Sequence, residues 1–180
     1  MRATANVVVR VIVVLAYAAG VSWLVLLALS IADITRRSVG APSFLAVAEF
    51  TEIVQVIPIF FGLAFAEYTF ANVRTSILTS RLKARTANIV RALAMAGAVA
   101  FVALMTFALS ENAIVSTQQG EFRFGVGQVL VWPSRIVAAV GAFALLVVCI
   151  FRLIDLIRIS IAPSLEPYMP DPEEDLEVQI

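Results

Sequence analysis

The chain has 180 residues, of which 61% are hydrophobic, with a mean hydropathy of +0.96 and a formal net charge of zero. Soluble domains are about half apolar, so this excess indicates lipid as the solvent. Four helices of about 20 apolar residues, the length that crosses a bilayer, would use nearly the whole chain and leave no room for a soluble catalytic domain. One cysteine, Cys149, and no histidine exclude internal disulfides, metal clusters of Cys or His, and histidine-dependent catalysis.

Four apolar segments, called spans 1 to 4 here, predict an all-α integral membrane protein. They cover about residues 7–31, 43–70, 89–109 and 129–157. Span 1 holds 21 uncharged residues after Arg10, longer than the core of a usual signal peptide, and we expect it to be retained. Pro58 is predicted to kink span 2. Residues 110–128 are polar and predicted to be a loop.

Residues 1–161 therefore form the predicted membrane domain, and residues 162–180 form a tail. The tail holds six acidic residues, four prolines and no base, a composition that predicts a disordered segment. Nine Arg and Lys residues flank the membrane on the side of the two termini, against four on the opposite side. The positive-inside rule then places both termini in the cytoplasm.

Small residues recur at helical spacing in three spans, where they would let two backbones approach. We expect them to pack the bundle, with docking to a larger partner as the alternative. They are Ala16 and Gly20 in span 1, Ala92, Ala96, Gly97 and Ala100 in span 3, and Ala138, Gly141 and Ala142 in span 4.

Span 2 carries three carboxylates, Glu49, Glu52 and Glu67. Glu49 and Glu67 share a helix face about 27 Å apart, so one lies near each membrane surface. One interpretation is an ion or proton path along this helix. The favoured one is interfacial anchors with salt bridges to Arg in this chain or in a partner, because no acid lies at the bilayer centre. Arg135 is expected to pair with Glu49 or Glu52.

Three further features mark membrane boundaries. Trp132, followed by a proline, marks the point where span 4 enters the bilayer. Arg74 belongs to a basic segment after span 2. Arg152, Asp155 and Arg158 are expected to end span 4 and reach the membrane interface. We see no nucleophile–base pair, metal constellation or basic nucleic-acid patch, so we expect no enzyme activity, cofactor, metal or nucleic acid.

Three segments resemble the DctQ family, the small four-helix subunits of tripartite ATP-independent periplasmic (TRAP) transporters, over about residues 10–160. The first is the acid-bearing second span, EFTEIVQVIPIFFGLAFAEYTFANVR. The second is a basic loop beginning NVRTSIL. The third is GEFRFGVGQVLVWPSRIVAAVGAFALL, a glycine-bearing loop that leads into a Trp-Pro entry. Many members carry His and Asp after the second span, where this chain has Asn72 and Ser76.

The resemblance implies a bacterial inner-membrane protein that braces a large DctM-type subunit during sodium-coupled uptake of an organic anion, a carboxylate or a sugar acid. A periplasmic solute-binding protein of the DctP type would deliver the anion. Glu121 and Arg123 are the candidate contacts with it. Glu49, Glu52, Glu67, Arg74, Trp132 and Arg135 are the candidate interface or ion-pair residues.

Two alternatives remain open at this stage. The small subunit of a tripartite tricarboxylate transporter has similar size and role but another large partner. A homo-oligomeric channel would need a polar stripe through the whole of one span, and residues 56–66 carry no charge.

Overall fold

Five helices make up nearly all of the part that the structure, a computed structural model, describes: residues 2–40, 42, 47–69, 84–122 and 129–161. They are α1 (Arg2–Ser38), α2 (Val47–Val54), α3 (Val56–Tyr68), α4 (Ala84–Gln119) and α5 (Trp132–Ile161). The predicted tail, residues 162–180, lies outside the described residues.

Four stretches of these helices are long and apolar enough to cross a membrane, which confirms the four predicted spans. They are Asn6–Ser38, Phe50–Tyr68, Asn88–Gln119 and Trp132–Arg158. The second stretch comprises most of α2 and all of α3. The protein is therefore all-helical, with helices suited to a multi-pass membrane protein.

α1 and α4 run further than the apolar pattern predicts. α1 continues seven residues past the expected end to Ser38, and α4 continues ten residues past Leu109 to Gln119. Hydroxyl side chains in these extensions donate to the carbonyl four residues earlier, as Thr117 Oγ1 does to Ala113 at 2.7 Å. The prediction that residues 110–119 form a loop was wrong, because hydropathy reports the edge of the hydrocarbon and not the end of a helix.

The second span is interrupted at Gln55, as expected from Pro58. Proline has no N–H to donate, and its ring crowds the carbonyl four residues earlier, which belongs to Val54. α2 ends at that residue. The Gln55 N–H still donates to the Thr51 carbonyl, and the Ile59 N–H donates to the Gln55 carbonyl, so the two helices form one interrupted span.

The helices pack as an open row in the order α1, α3, α5, α4. Among the described residues, α1 and α4 do not pack against each other as neighbouring helices in this order do. Of the most apolar window, 39% is buried in α5, 22% in α1, 17% in the second span and 11% in α4. α4 therefore leaves the largest share of its apolar window open. We call the end with Ser38, Val47, Gln119 and Trp132 the loop end, and the end with Tyr68, Ala84 and Ile161 the tail end.

Two apolar clusters hold the row together. The first, near the tail end, joins Val9, Ile12 and Val13 of α1 to Tyr68 of α3 and Val148 of α5. The second joins Ala64 of α3 and Val102 of α4 to Leu145 and Cys149 of α5. Cys149 is a buried core residue, as expected for an inert thiol.

Gly141 lies where α3 and α5 approach closely. A Cβ placed on it would lie 2.5 Å from Phe60 Cβ and 3.3 Å from the Phe60 carbonyl carbon. Ala138 and Ala142 beside it are buried. The small residues of span 4 thus pack within the chain, whereas a Cβ on Gly20 or Gly97 would meet nothing within 4 Å.

Candidate functional site

A cavity of about 280 Å³ lies at the loop end, where α2, α3, α4 and α5 meet. Its polar lining comes from Glu52 of α2, Asn112 of α4, and Ser134 and Arg135 of α5. Its apolar lining comprises Ile53, Val56, Phe60, Leu109, Val131 and Ala138. Two of the predicted site residues, the acidic Glu52 and the basic Arg135, therefore line the same cavity.

Arg135 forms an ion pair with Glu121, with 2.8 Å between Nη2 and Oε1. We expected an acid of span 2 as its partner, and the pair that the structure describes is with a different residue. Glu121 immediately follows Gly120, whose φ of +58° ends α4. The N–H of Gly120 donates to Thr117 and that of Glu121 to Ser116, which is the Schellman arrangement. This helix end therefore sets the position of the Glu121 carboxylate.

The pKa of Glu121 is lowered, first by the Ser116 hydroxyl and then by the Arg135 guanidinium. Among the described residues the Ser116 hydroxyl makes no hydrogen bond, whereas the Arg135 guanidinium is in direct contact with the Glu121 carboxylate and stabilises its charged form. The Val131 N–H also donates to the Glu121 carbonyl at 3.0 Å. Main-chain and side-chain contacts thus close the base of the α4–α5 loop onto the start of α5.

At the tail end, Arg152 is buried and donates from Nη2 to the carbonyl oxygen of Tyr68, the last residue of α3. A cation at a helix C-terminus satisfies a carbonyl and complements the helix dipole. Asp155 is buried one turn later, with Arg158 Nη1 at 3.9 Å from its carboxylate. Both residues are buried because α5 is central in the row, and the position of this group at the membrane interface stays a prediction.

The other predicted site residues are spread over both ends. Glu52 is exposed at the loop end and Glu67 is partly exposed near the end of α3. About 22 Å of helix separates them, from the rise of 1.5 Å per residue. Trp132 is the first residue of α5 and is partly buried. The Glu49 side chain and the whole of Arg74 and Arg123 lie outside the described residues.

Sequence reasoning missed one ion pair at the loop end. Arg37 Nη2 lies 2.7 Å from Oδ2 of the buried Asp33. The four-residue spacing is the usual signal for such a pair on a helix. The hydropathy pattern ends span 1 at about residue 31, before both residues, and a four-residue spacing brings two side chains together only within a helix.

The chemistry that these groups support is ion pairing and hydrogen bonding to polypeptide. In the part of the chain that the structure describes, no group of three or more His, Cys, Asp or Glu residues could hold a metal ion. The charged groups lie at the two ends of the row, and α3 carries no charge before Glu67.

Comparison with known families agrees with this arrangement. The family model described as "Tripartite ATP-independent periplasmic transporters, DctQ component" matches residues 26–159, from the middle of α1 to near the end of α5. Comparison with curated protein sequences and with solved structures gave no match. Since the family model covers more than half of the chain, the protein belongs to the DctQ family and is a small membrane subunit of a TRAP transporter, a transport component and not a member of an enzyme family.

Proposed function

We propose that this subunit is a fixed scaffold that binds the DctM-type large membrane subunit through the exposed face of α4. The open row of helices carries the proposal. One face of α4 packs on α5, but only 11% of its most apolar window is buried, so the opposite face is available to another neighbour.

The face of α4 is suited to another helix. Ala96, Gly97 and Ala100 are exposed, and a Cβ on Gly97 would meet nothing within 4 Å. Leu93 and Leu104, also exposed, flank these small residues along the same face. Helices associate in lipid where small residues let backbones approach, because apolarity alone gives no preference for protein over lipid.

The transport reaction that we assign rests on family membership. In this proposal the complex takes up an organic anion, a carboxylate or a sugar acid, with sodium, across the bacterial inner membrane. Both termini lie in the cytoplasm, and the loop end faces the periplasm. There Glu121 and Arg123 contact a DctP-type solute-binding protein. The Glu121–Arg135 pair supports this role by fixing the base of the α4–α5 loop.

Co-purification with the large subunit tests the scaffold. The chain is co-expressed with a tagged DctM-type subunit and isolated in mild detergent, and we expect a one-to-one complex. Gly97→Leu should reduce co-purification at least fivefold, because its side chain fills the space that a neighbouring helix would occupy. Gly20→Leu on α1 is the matched control and should leave the yield unchanged, because a Cβ at Gly20 likewise meets none of the described residues within 4 Å. Equal yields from the two variants would remove α4 as the contact.

Uptake in liposomes tests the assignment of transport. We expect sodium-dependent uptake only when both membrane subunits and the binding protein are present. A homo-oligomer of this chain that conducts ions without a partner would overturn the scaffold in favour of a channel.

A further inference from the structure

An apolar groove runs along the outer side of the α1–α3 contact. Its volume is about 420 Å³. Val13 is buried at one end, Ala16 and Gly20 leave a depression, Tyr17 and Leu24 rise on the exposed side, and Phe65 of α3 closes the other side. Gly20 has no side chain to fill this space, and a Cβ placed on it would have nothing within 4 Å among the described residues.

The length of the groove corresponds to one leaflet. From Val13 to Leu24 the helix rises about 16 Å, at 1.5 Å per residue. Half of the hydrocarbon core of a bilayer is about 15 Å thick. A helix of a partner subunit would cross the whole core, whereas an acyl chain fills one half. The dimensions therefore favour a lipid chain.

Arg10 stands at the end of the groove that faces the tail end. Arg10, Val13, Tyr17, Gly20 and Leu24 follow one another at spacings of three and four residues, so they share one helix face. Arg10 is exposed and makes no hydrogen bond or ion pair among the described residues. A guanidinium at the end of an apolar groove of this length is suited to a phosphate, which it binds through two parallel hydrogen bonds.

We propose that this groove is a binding site for one phospholipid of the leaflet at the tail end, with its phosphodiester on Arg10 and one acyl chain along Ala16 and Gly20. The lipid covers the open side of the α1–α3 contact, which the described residues leave uncovered. This site is independent of the α4 face, so the chain alone, without the large subunit, is the object of the test.

Native mass spectrometry of the purified chain in detergent, titrated with dioleoyl phosphatidylglycerol, measures the site. We expect one lipid retained per chain. Gly20→Leu fills the depression and should reduce the retained fraction at least fivefold. Gly97→Leu, its match on α4, should retain lipid like the wild type. The proposal is overturned if Gly20→Leu retains as much lipid as Gly97→Leu.

The headgroup contact has its own test. Arg10→Gln should reduce retention about tenfold, and Arg10→Lys, which keeps the charge, should retain an intermediate fraction. Arg91→Gln, an exposed arginine of α4, is the matched control. Dioleoylglycerol, which has the same chains without the phosphate, should bind at least tenfold more weakly. Equal binding of the two lipids would refute the phosphate contact, and loss of co-purification in Gly20→Leu with lipid retained would assign the groove to the large subunit.

Discussion

Replacing Gly141 with alanine tests how closely α3 and α5 must approach. The added Cβ would lie 2.5 Å from Phe60 Cβ, about 0.9 Å short of the 3.4 Å at which ordinary van der Waals contact begins. It would also lie 3.3 Å from the Phe60 carbonyl carbon. Both atoms move only with the backbone of α3, so a rotamer change of Phe60 cannot relieve the contact. The two helices must separate.

Overpacking of this kind costs about 1–3 kcal/mol in protein interiors. Alanine also has the better helix propensity, by about 1 kcal/mol, which partly offsets the clash. Gly62→Ala in α3 has the same gain in propensity, and its Cβ meets nothing within 4 Å. The difference between Gly141→Ala and Gly62→Ala therefore isolates the clash, and we expect the former to be less stable by about 1–3 kcal/mol.

Reversible unfolding in mixed micelles with increasing SDS, followed by far-UV circular dichroism, gives the two free energies of unfolding. Phe60→Ala in the Gly141→Ala background sharpens the test, because alanine keeps the Cβ and should not restore stability. Equal stability of Gly141→Ala and Gly62→Ala would refute the close approach of α3 and α5. Recovery in the double variant would place the clash on the ring instead.

The remaining predictions concern the two ends of the row and its orientation. Arg152→Met should lower the free energy of unfolding in the same SDS titration by about 1.5–3 kcal/mol, the range for a hydrogen bond to a charged group. Arg152→Lys keeps the charge at the end of α3 and should lose less stability. Full stability of the Met variant would contradict the contact between Arg152 and the Tyr68 carbonyl. A double-mutant cycle of Glu121→Gln and Arg135→Gln should show coupling at pH 7. The folded pKa of Glu121 lies below its ordinary value of 4.5, so the coupling energy between the two side chains should persist down to about pH 4.5 and disappear as the pH falls through the folded pKa. A coupling energy that does not change with pH would rule out this ion pair. In a background without Cys149, an impermeant maleimide added to spheroplasts should label Ser38→Cys and not Ile161→Cys, and the reverse pattern would invert the proposed topology.

Some features of the fold follow directly from local chemistry, and these could be read from the sequence. Pro58 cannot donate a main-chain hydrogen bond, so the helix of the second span is interrupted one turn earlier. Trp132 and the proline after it begin α5 as predicted. The end of α4 was misplaced because its last ten residues are mostly polar. Gly120, which ends the helix through a positive φ, was one of several glycines in the segment that follows.

The candidate site was only partly predictable. Arg135 was identified as an ion-pair residue, but its described partner is Glu121, which the sequence pattern placed in a loop facing another protein. Which carboxylate it meets depends on how the α4–α5 loop folds back, and neither helical spacing nor hydropathy contains that information.

By itself, the sequence determined the number of spans, their helical nature, the interruption before Pro58 and the family. These depend on the length and apolarity of each segment, which a bilayer selects one helix at a time. Only the tertiary structure decided that Gly141 packs while Gly20 and Gly97 remain open, and that Arg152 is buried. The physical reason is that lipid and protein interior are equally apolar, so a hydropathy pattern cannot tell which side of a helix its neighbours cover.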